Sequence, residues 1–180
     1  MRVAIIGAGM TGASAAHQLR QSGAEVVVFD KARGPGGRMT SKRTADGYLD
    51  LGAQYFTARE PRFIKQVQRW QQQGVVAPWL APIWQYQQGQ LQPSPDSQYR
   101  FIGVPAMHSP LKQLAKRLSV HYQFQLTKLQ QDAAGWWLID SQARQVGPFS
   151  TVVLSIPPVQ AAAMLPAELA ASLPTASLTP

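Results

Sequence analysis

A short apolar run, Arg2–Ile6, breaks into the sequence Gly-Ala-Gly-Met-Thr-Gly at Gly7–Gly12, and residues suited to a helix follow. The pattern predicts a strand over Arg2–Ile6, a tight glycine turn, and a helix over Thr11–Ser22 stopped by Gly23. Gly7 allows the turn out of the strand. Gly9 has no Cβ, so another group can approach its backbone. Gly12 lets the helix lie close to the sheet. Ala13 and Ala16 are also small enough for close packing. The free N–H groups and the dipole at the start of such a helix favour a phosphate. A second apolar strand, Glu25–Phe29, ends in Asp30, 18 residues beyond Gly12. A carboxylate there can accept both ribose hydroxyls of an adenosine, and it repels a 2′-phosphate. Alone, Asp30 is equally a polar residue that ends a strand. Strand, glycine turn, helix, strand and acid, in that order, predict a doubly wound α/β domain that binds a dinucleotide.

The next segment bears on which dinucleotide. A simple NAD domain continues after its acid into another helix. Here the chain reads KARGPGGRMTSKR over Lys31–Arg43, with three glycines before Arg38. That composition predicts a loop. Arg38 offers a planar fork of donors to phosphate oxygens. The alternative is a flexible basic surface loop. A glycine-rich loop with an arginine suits a cofactor longer than NAD, which points to FAD.

At this point the residues carry a resemblance. DKARGPGGRMTS (Asp30–Ser41) resembles the second glycine motif of the flavin-containing amine oxidoreductases. LDLGAQYFT (Leu49–Thr57) resembles the stretch that reaches the flavin ring in their renalase-like branch. The resemblance runs from Arg2 to about Pro158. It implies a p-hydroxybenzoate-hydroxylase-like fold, in which a Rossmann-like FAD-binding domain carries an inserted β-rich substrate domain. It also implies non-covalent FAD. The implied substrate is a small molecule, an aberrant dihydro-NAD(P) isomer, oxidised with oxygen to NAD(P)⁺ and hydrogen peroxide. A flavin-dependent amine oxidase is the alternative enzyme, and a non-catalytic dinucleotide-binding or interaction module is the alternative outside catalysis. A third alternative is an NAD-dependent dehydrogenase with an unusual loop. Carried over by position, the resemblance puts Gly7, Gly9, Met10, Thr11 and Gly12 at the pyrophosphate. It puts Asp30 and Lys31 at the adenosine ribose, and Gly37, Arg38 and Met39 along the phosphates and ribityl chain. Ala53, Gln54 and Tyr55 fall near the flavin, Leu126 beside the adenine, and Ser155 in a turn close to the cofactor.

Composition limits the alternatives. The 180 residues suffice for a domain with a real core, and the formal charge is +8. Nucleic-acid binding is not expected, because the basic residues are dispersed. Their densest group, Lys31, Arg33, Arg38, Lys42 and Arg43, falls on the proposed phosphate loop. There is no cysteine. A redox-active disulfide, a cysteinyl flavin and thiolate metal sites are therefore excluded. The lack of cysteine is compatible with a reducing cytoplasm, the expected location. No apolar run is long enough for a membrane span. His17, His108 and His121 have no ligand-like spacing and no G-x-S-x-G nucleophile accompanies them, so no metal site is expected. No catalytic residue is assigned, because hydride transfer to a flavin depends mainly on where the donor carbon is held.

Further along, Phe63, Val67 and Trp70 predict a helix over Pro61–Gln73. Short strands are expected at Ile83–Gln87 and Gln90–Pro93, around a turn at Gln88–Gly89. Trp79, Trp84 and Tyr86 either line a nicotinamide pocket or are ordinary packing residues. The stripe Met107, Leu111, Leu114, Leu118 predicts a helix over His108–Ser119. His121–Gln131 and Trp136–Asp140 read as paired strands around Ala133–Gly135, and Phe149–Ser155 as a strand that returns to the central sheet. The expected organisation is residues 1–73 as the first part of the FAD-binding domain and 74–102 as an insertion contributing to the substrate domain. Residues 103–158 form the second part, and 159–180 a shortened entry into the substrate domain. The implied family continues beyond this point to a late Gly-Asp motif. The expectation is thus a truncated protein, in which FAD retention and turnover are impaired. The sequence assigns no oligomeric state.

Overall fold

The computed structural model describes residues 1–95 and 98–172. The last part of the expected entry into the substrate domain, Leu173–Pro180, lies outside the described residues. In chain order the elements are β1 (Arg2–Ile6), α1 (Met10–Gln21), β2 (Glu25–Phe29), β3 (Ser41–Thr44), β4 (Gly47–Asp50) and α2 (Pro61–Gln72). Then come β5 (Val76–Pro78), β6 (Trp84–Gln87), β7 (Gln90–Pro93), β8 (Phe101–Gly103), α3 (Ser109–Ala115) and β9 (Ser119–His121). The last are β10 (Leu126–Asp132), β11 (Gly135–Asp140), β12 (Gln145–Phe149), β13 (Thr151–Leu154), α4 (Pro158–Met164) and α5 (Ala167–Ala171). The chain divides into two compact units, Met1–Gly37 with Leu111–Pro180, and Arg38–Pro110.

The first unit is built on a parallel sheet in the order β13-β1-β2-β9. Its centre is apolar because a parallel sheet is covered on both faces. Val3, Ala4 and Ile5 of β1 are fully buried, as is Ala16 of α1. One face packs Val3, Ile5, Val26 and Val28 under α1. The other packs Ala4, Ile6 and Phe29 against Leu129, Leu138 and Phe149 of an antiparallel sheet, β10-β11-β12. The fold class is thus a Rossmann-like α/β domain.

Three boundaries differ from the expectation. The helix predicted over His108–Ser119 is only Ser109–Ala115. After it the bonds tighten, with Arg117 N–H on the Leu114 carbonyl and Leu118 N–H on that of Ala115. Ser119–His121 then pairs in parallel with β2, and this sheet pairing overrides the helical stripe. The strand predicted over His121–Gln131 accordingly splits. His121 stays in the parallel sheet, and Leu126–Asp132 forms the hairpin with β11. The strand predicted over Phe149–Ser155 breaks at Ser150. Its N–H and Oγ both donate to the Arg2 carbonyl, which turns the chain from β12 of one sheet into β13 of the other.

The second unit consists of α2, the pair β5-β8, and the hairpins β3-β4 and β6-β7. Glu60 caps α2 by accepting the Phe63 N–H at 2.8 Å, and Pro61 takes the first position, where its missing donor costs nothing. The aromatic chain Phe101–Phe56–Phe63–Trp70 packs at centroid distances of 5.7, 5.8 and 6.1 Å. Val67, Trp70, Val76 and Met107 are buried.

Candidate functional site

In the first unit the glycine turn is held from beneath and from the side. Gly7 has φ +106°, a conformation that residues with a Cβ rarely adopt. A Cβ there would also lie 2.8 Å from the Ser155 carbonyl oxygen. A Cβ at Gly12 would overlap the Gly7 carbonyl oxygen, so the helix is as close to the turn as backbone permits. Ser155 closes the underside. Its N–H donates to the Ile6 carbonyl at 2.8 Å, and its hydroxyl lies 3.0 Å from the carbonyls of both Ile6 and Gly7. Gly9 is different, because nothing in the protein lies within 4 Å of a Cβ placed there. It is the N-cap of α1, and no side chain caps that end. The first intrahelical bond is Ala13 N–H to the Gly9 carbonyl, so the N–H groups of Met10, Thr11 and Gly12 have no partner within the helix.

The Asp30 carboxylate is held by main-chain N–H groups at both oxygens. Its Oδ2 accepts the Ala8 N–H at 2.6 Å and its Oδ1 accepts the Ala32 N–H at 2.7 Å. The second contact is an Asx turn, a local habit of aspartate that the sequence does carry a signal for. The first ties the acid to the glycine turn across 22 residues, and no local signal announces it. Each carboxylate oxygen has two acceptor positions, so one on each remains. Burial raises the pKa of the Tyr122 phenol above its ordinary value, and the negative charge of Asp30 raises it further. Lys31 is exposed. Leu126 is buried among Phe29, Phe124 and Leu138.

In the second unit the other two motifs meet. The Thr40 carbonyl accepts the Leu51 N–H at 3.1 Å and the Arg38 carbonyl accepts the Ala53 N–H at 2.9 Å. Both contacts extend the β3-β4 hairpin, whose register runs from Thr44↔Gly47 to Ser41↔Asp50. The hairpin was not anticipated, although the Asp46-Gly47 pair is a turn signal. Arg38 and Gln54 are exposed, and Met39 and Ala53 are half-buried. The Tyr55 ring meets the edge of Trp79 at 6.0 Å and carries the Arg100 guanidinium 5.1 Å from its centroid. Trp84 and Tyr86 stand exposed on the β6-β7 hairpin. Gly37 belongs to the first unit, where a Cβ on it would lie 3.3 Å from the Gly9 Cα.

Among the described residues there is no group of three or more His, Cys, Asp or Glu side chains placed to hold a metal ion. No helix among them is long and apolar enough to cross a membrane. His17 Nε2 lies 3.0 Å from the Leu114 carbonyl, His108 meets the Tyr48 ring, and His121 stacks on Phe29.

Comparison with known proteins follows the same outline. Residues 5–70 match the family described as an NAD(P)-binding Rossmann-like domain. Hydroxyneurosporene desaturase of Cereibacter sphaeroides is 37% identical over 59 residues, which are 33% of this chain and 12% of that protein. The 4,4'-diapophytoene desaturase (4,4'-diaponeurosporene-forming) of Staphylococcus aureus is 40% identical over 52 residues, or 29% of this chain and 10% of that protein. Among solved structures, wild-type putrescine oxidase bound to putrescine superimposes with a TM-score of 0.69 at 13% identity. A variant from the redesign of its cofactor binding gives 0.69 at 14% identity. This chain has the fold of putrescine oxidase. The likeness covers 91% of this chain and 60% of the oxidase, so the chain spans less than two thirds of each of these proteins.

Proposed function

We propose that the chain forms the nucleotide-holding part of an FAD-dependent oxidoreductase. The observation that carries this reading is the open face of Gly9. A turn that only glycine fits at residue 7, sealed by Ser155 and braced by Asp30, presents an uncapped helix start whose Gly9 has no protein atom within 4 Å of a Cβ placed on it. These features fit a pyrophosphate. The Gly9, Met10, Thr11 and Gly12 main chain would hold the phosphates, with Gly37 behind Gly9. The remaining acceptor positions of Asp30 would take the ribose hydroxyls, beside Lys31, and the Leu126 main chain would lie at the adenine. Arg38 and Met39 would lie along the phosphates and ribityl chain. Ala53, Gln54 and Tyr55, tied to them through the Arg38 carbonyl, would approach the ring. FAD supplies, when bound, a ring that accepts hydride from a substrate and delivers electrons to oxygen as hydrogen peroxide. The task of these residues is then to bind and orient.

Within this reading the substrate is a dihydro-NAD(P) isomer, supported by the similarity of Leu49–Thr57 to the renalase-like stretch. A flavin-dependent amine oxidase is the second reading, supported by the fold shared with putrescine oxidase. The domain organisation follows, with residues 1–73 and 103–158 forming the FAD-binding domain, 74–102 an inserted contribution to the substrate domain, and 159–180 its re-entry. A cytoplasmic location accords with the lack of cysteine. The deciding measurement is a visible absorption spectrum after incubation with FAD and removal of excess. A weakly retained band with resolved shoulders is expected, and its absence at high FAD would refute the reading for this chain. Peroxide release with dihydro-NAD(P) isomers, and none with diamines, would separate the first substrate reading from the second.

A further inference from the structure

The first unit contains a hydrogen-bonded chain that begins far from the glycine turn and ends on it. The Asp140 carboxylate is buried at the end of β11. It accepts the Gln142 N–H at 2.9 Å, the Arg144 N–H at 2.8 Å and the Arg144 Nε at 2.6 Å. Burial alone would raise its pKa, but the Arg144 guanidinium and these two N–H groups win and hold it below the usual carboxylate value. The turn thus fixes Arg144 in one position, with its guanidinium 5.5 Å from the Phe124 ring centroid. Arg144 Nη2 then donates to the Gln123 carbonyl at 2.9 Å.

Gln123 is the next link. Its φ is +57°, a region that glutamine adopts only when its surroundings impose it. Two contacts impose it here, the Arg144 bond to its carbonyl and the bond from its own N–H to the Ala32 carbonyl at 2.9 Å. Phe124 N–H donates to the Asp30 carbonyl and Asp30 N–H to the His121 carbonyl, both at 2.9 Å. The segment His121–Phe124 therefore grips Asp30–Ala32 on both sides. From Ala32 the path goes through its N–H to Asp30 Oδ1, and from Asp30 Oδ2 to the Ala8 N–H.

We infer that Asp140 and Arg144 are positioning residues for the nucleotide site, which hold Gln123 in its left-handed conformation and thereby aim the Asp30 carboxylate without touching a ligand. The inference rests on the dinucleotide reading only for its effect on affinity. The aim itself exists in the ligand-free chain. Asp30 has four acceptor positions and two are used by backbone. A shift of Ala32 therefore redirects the two that remain. The sequence signal is slight, an Asp and an Arg four residues apart around a tight turn.

The test uses the full chain and two readouts. In the ligand-free protein, Arg144→Ala should speed hydrogen exchange at the Ala8 and Ala32 amides by about tenfold more than at Ile5 in the centre of β1. Calorimetric titration with ADP should show binding weakened about tenfold, with partial recovery in Arg144→Lys, which keeps one donor. Asp140→Asn keeps the shape of the turn and should give a smaller loss of both kinds, so it replaces Arg144→Ala if that variant does not fold. Unchanged exchange at Ala8 and Ala32 together with wild-type ADP affinity, even with a lower melting temperature, would overturn the inference. Failure of the unmodified chain to bind ADP would instead overturn the dinucleotide reading, and the exchange data would then decide the positioning role alone.

Discussion

The two units of this chain treat their strands differently. In Met1–Gly37 with Leu111–Pro180, the central strand β1 is buried from Val3 to Ile6 and both faces of its sheet are covered. In Arg38–Pro110, the hairpin β6-β7 leaves Trp84 53%, Tyr86 75% and Leu91 66% exposed. A covered parallel sheet can fix backbone atoms precisely, and the candidate nucleotide site of this unit consists mainly of backbone N–H groups and one carboxylate. A two-stranded ribbon fixes little by itself, and its aromatic side chains are the exposed ones. The lesson is that precision here follows burial, so substitutions should separate the units sharply.

The largest effect is expected at the junction of the two sheets. Phe149→Ala would empty a fully buried site against Phe29 and should cost about 4 kcal/mol in urea unfolding. Gly12→Ala should follow at about 3 kcal/mol, because the added methyl meets backbone. Gly9→Ala sharpens the point. It meets no protein atom, so stability should fall by only about 0.5–1 kcal/mol, the cost of alanine at a helix N-cap, while FAD retention is lost. Asp30→Ala should cost about 2 kcal/mol by orphaning the Ala8 and Ala32 N–H groups, and it should abolish ADP binding in calorimetry.

Asp140 gives a pH signature. Its folded pKa lies below the unfolded one, so its contribution is fully present above the ordinary carboxylate range. That contribution is lost as pH falls through the lower folded value. Stability followed by circular dichroism should therefore fall as the solution is acidified through this range, and Asp140→Asn should flatten that acid limb. Trp84→Ala, on the exposed ribbon, should change the unfolding free energy by less than about 0.5 kcal/mol. A cost at Trp84 comparable to that at Phe149 would break the comparison between the units.

Much of this arrangement was legible in the sequence because it is local. The strands Arg2–Ile6 and Glu25–Phe29, the glycine turn and the helix beginning at Thr11 or Met10 are all written in contiguous residues. The helix from Pro61 and the ribbon around Gln88–Gly89 are local as well. What escaped was set by distant partners. The helix expected to reach Ser119 ends early because the free edge of β2 recruits Ser119–His121. The strand expected from Phe149 breaks because Ser150 is drawn to Arg2, 148 residues away. The same is true of the site. Asp30 was visible as a candidate ribose acceptor, but its hold on the Ala8 N–H depends on how the first turn folds back over the second strand.

That hold has a practical consequence for altering nucleotide preference. The obvious route to accepting a 2′-phosphate is to remove the negative charge at Asp30. In this chain the same carboxylate fastens the loop that carries the helix start, so the swap would dismantle the anion cradle it was meant to extend. A workable redesign keeps Asp30 in place and recruits new charge from its exposed neighbours, beginning with Lys31.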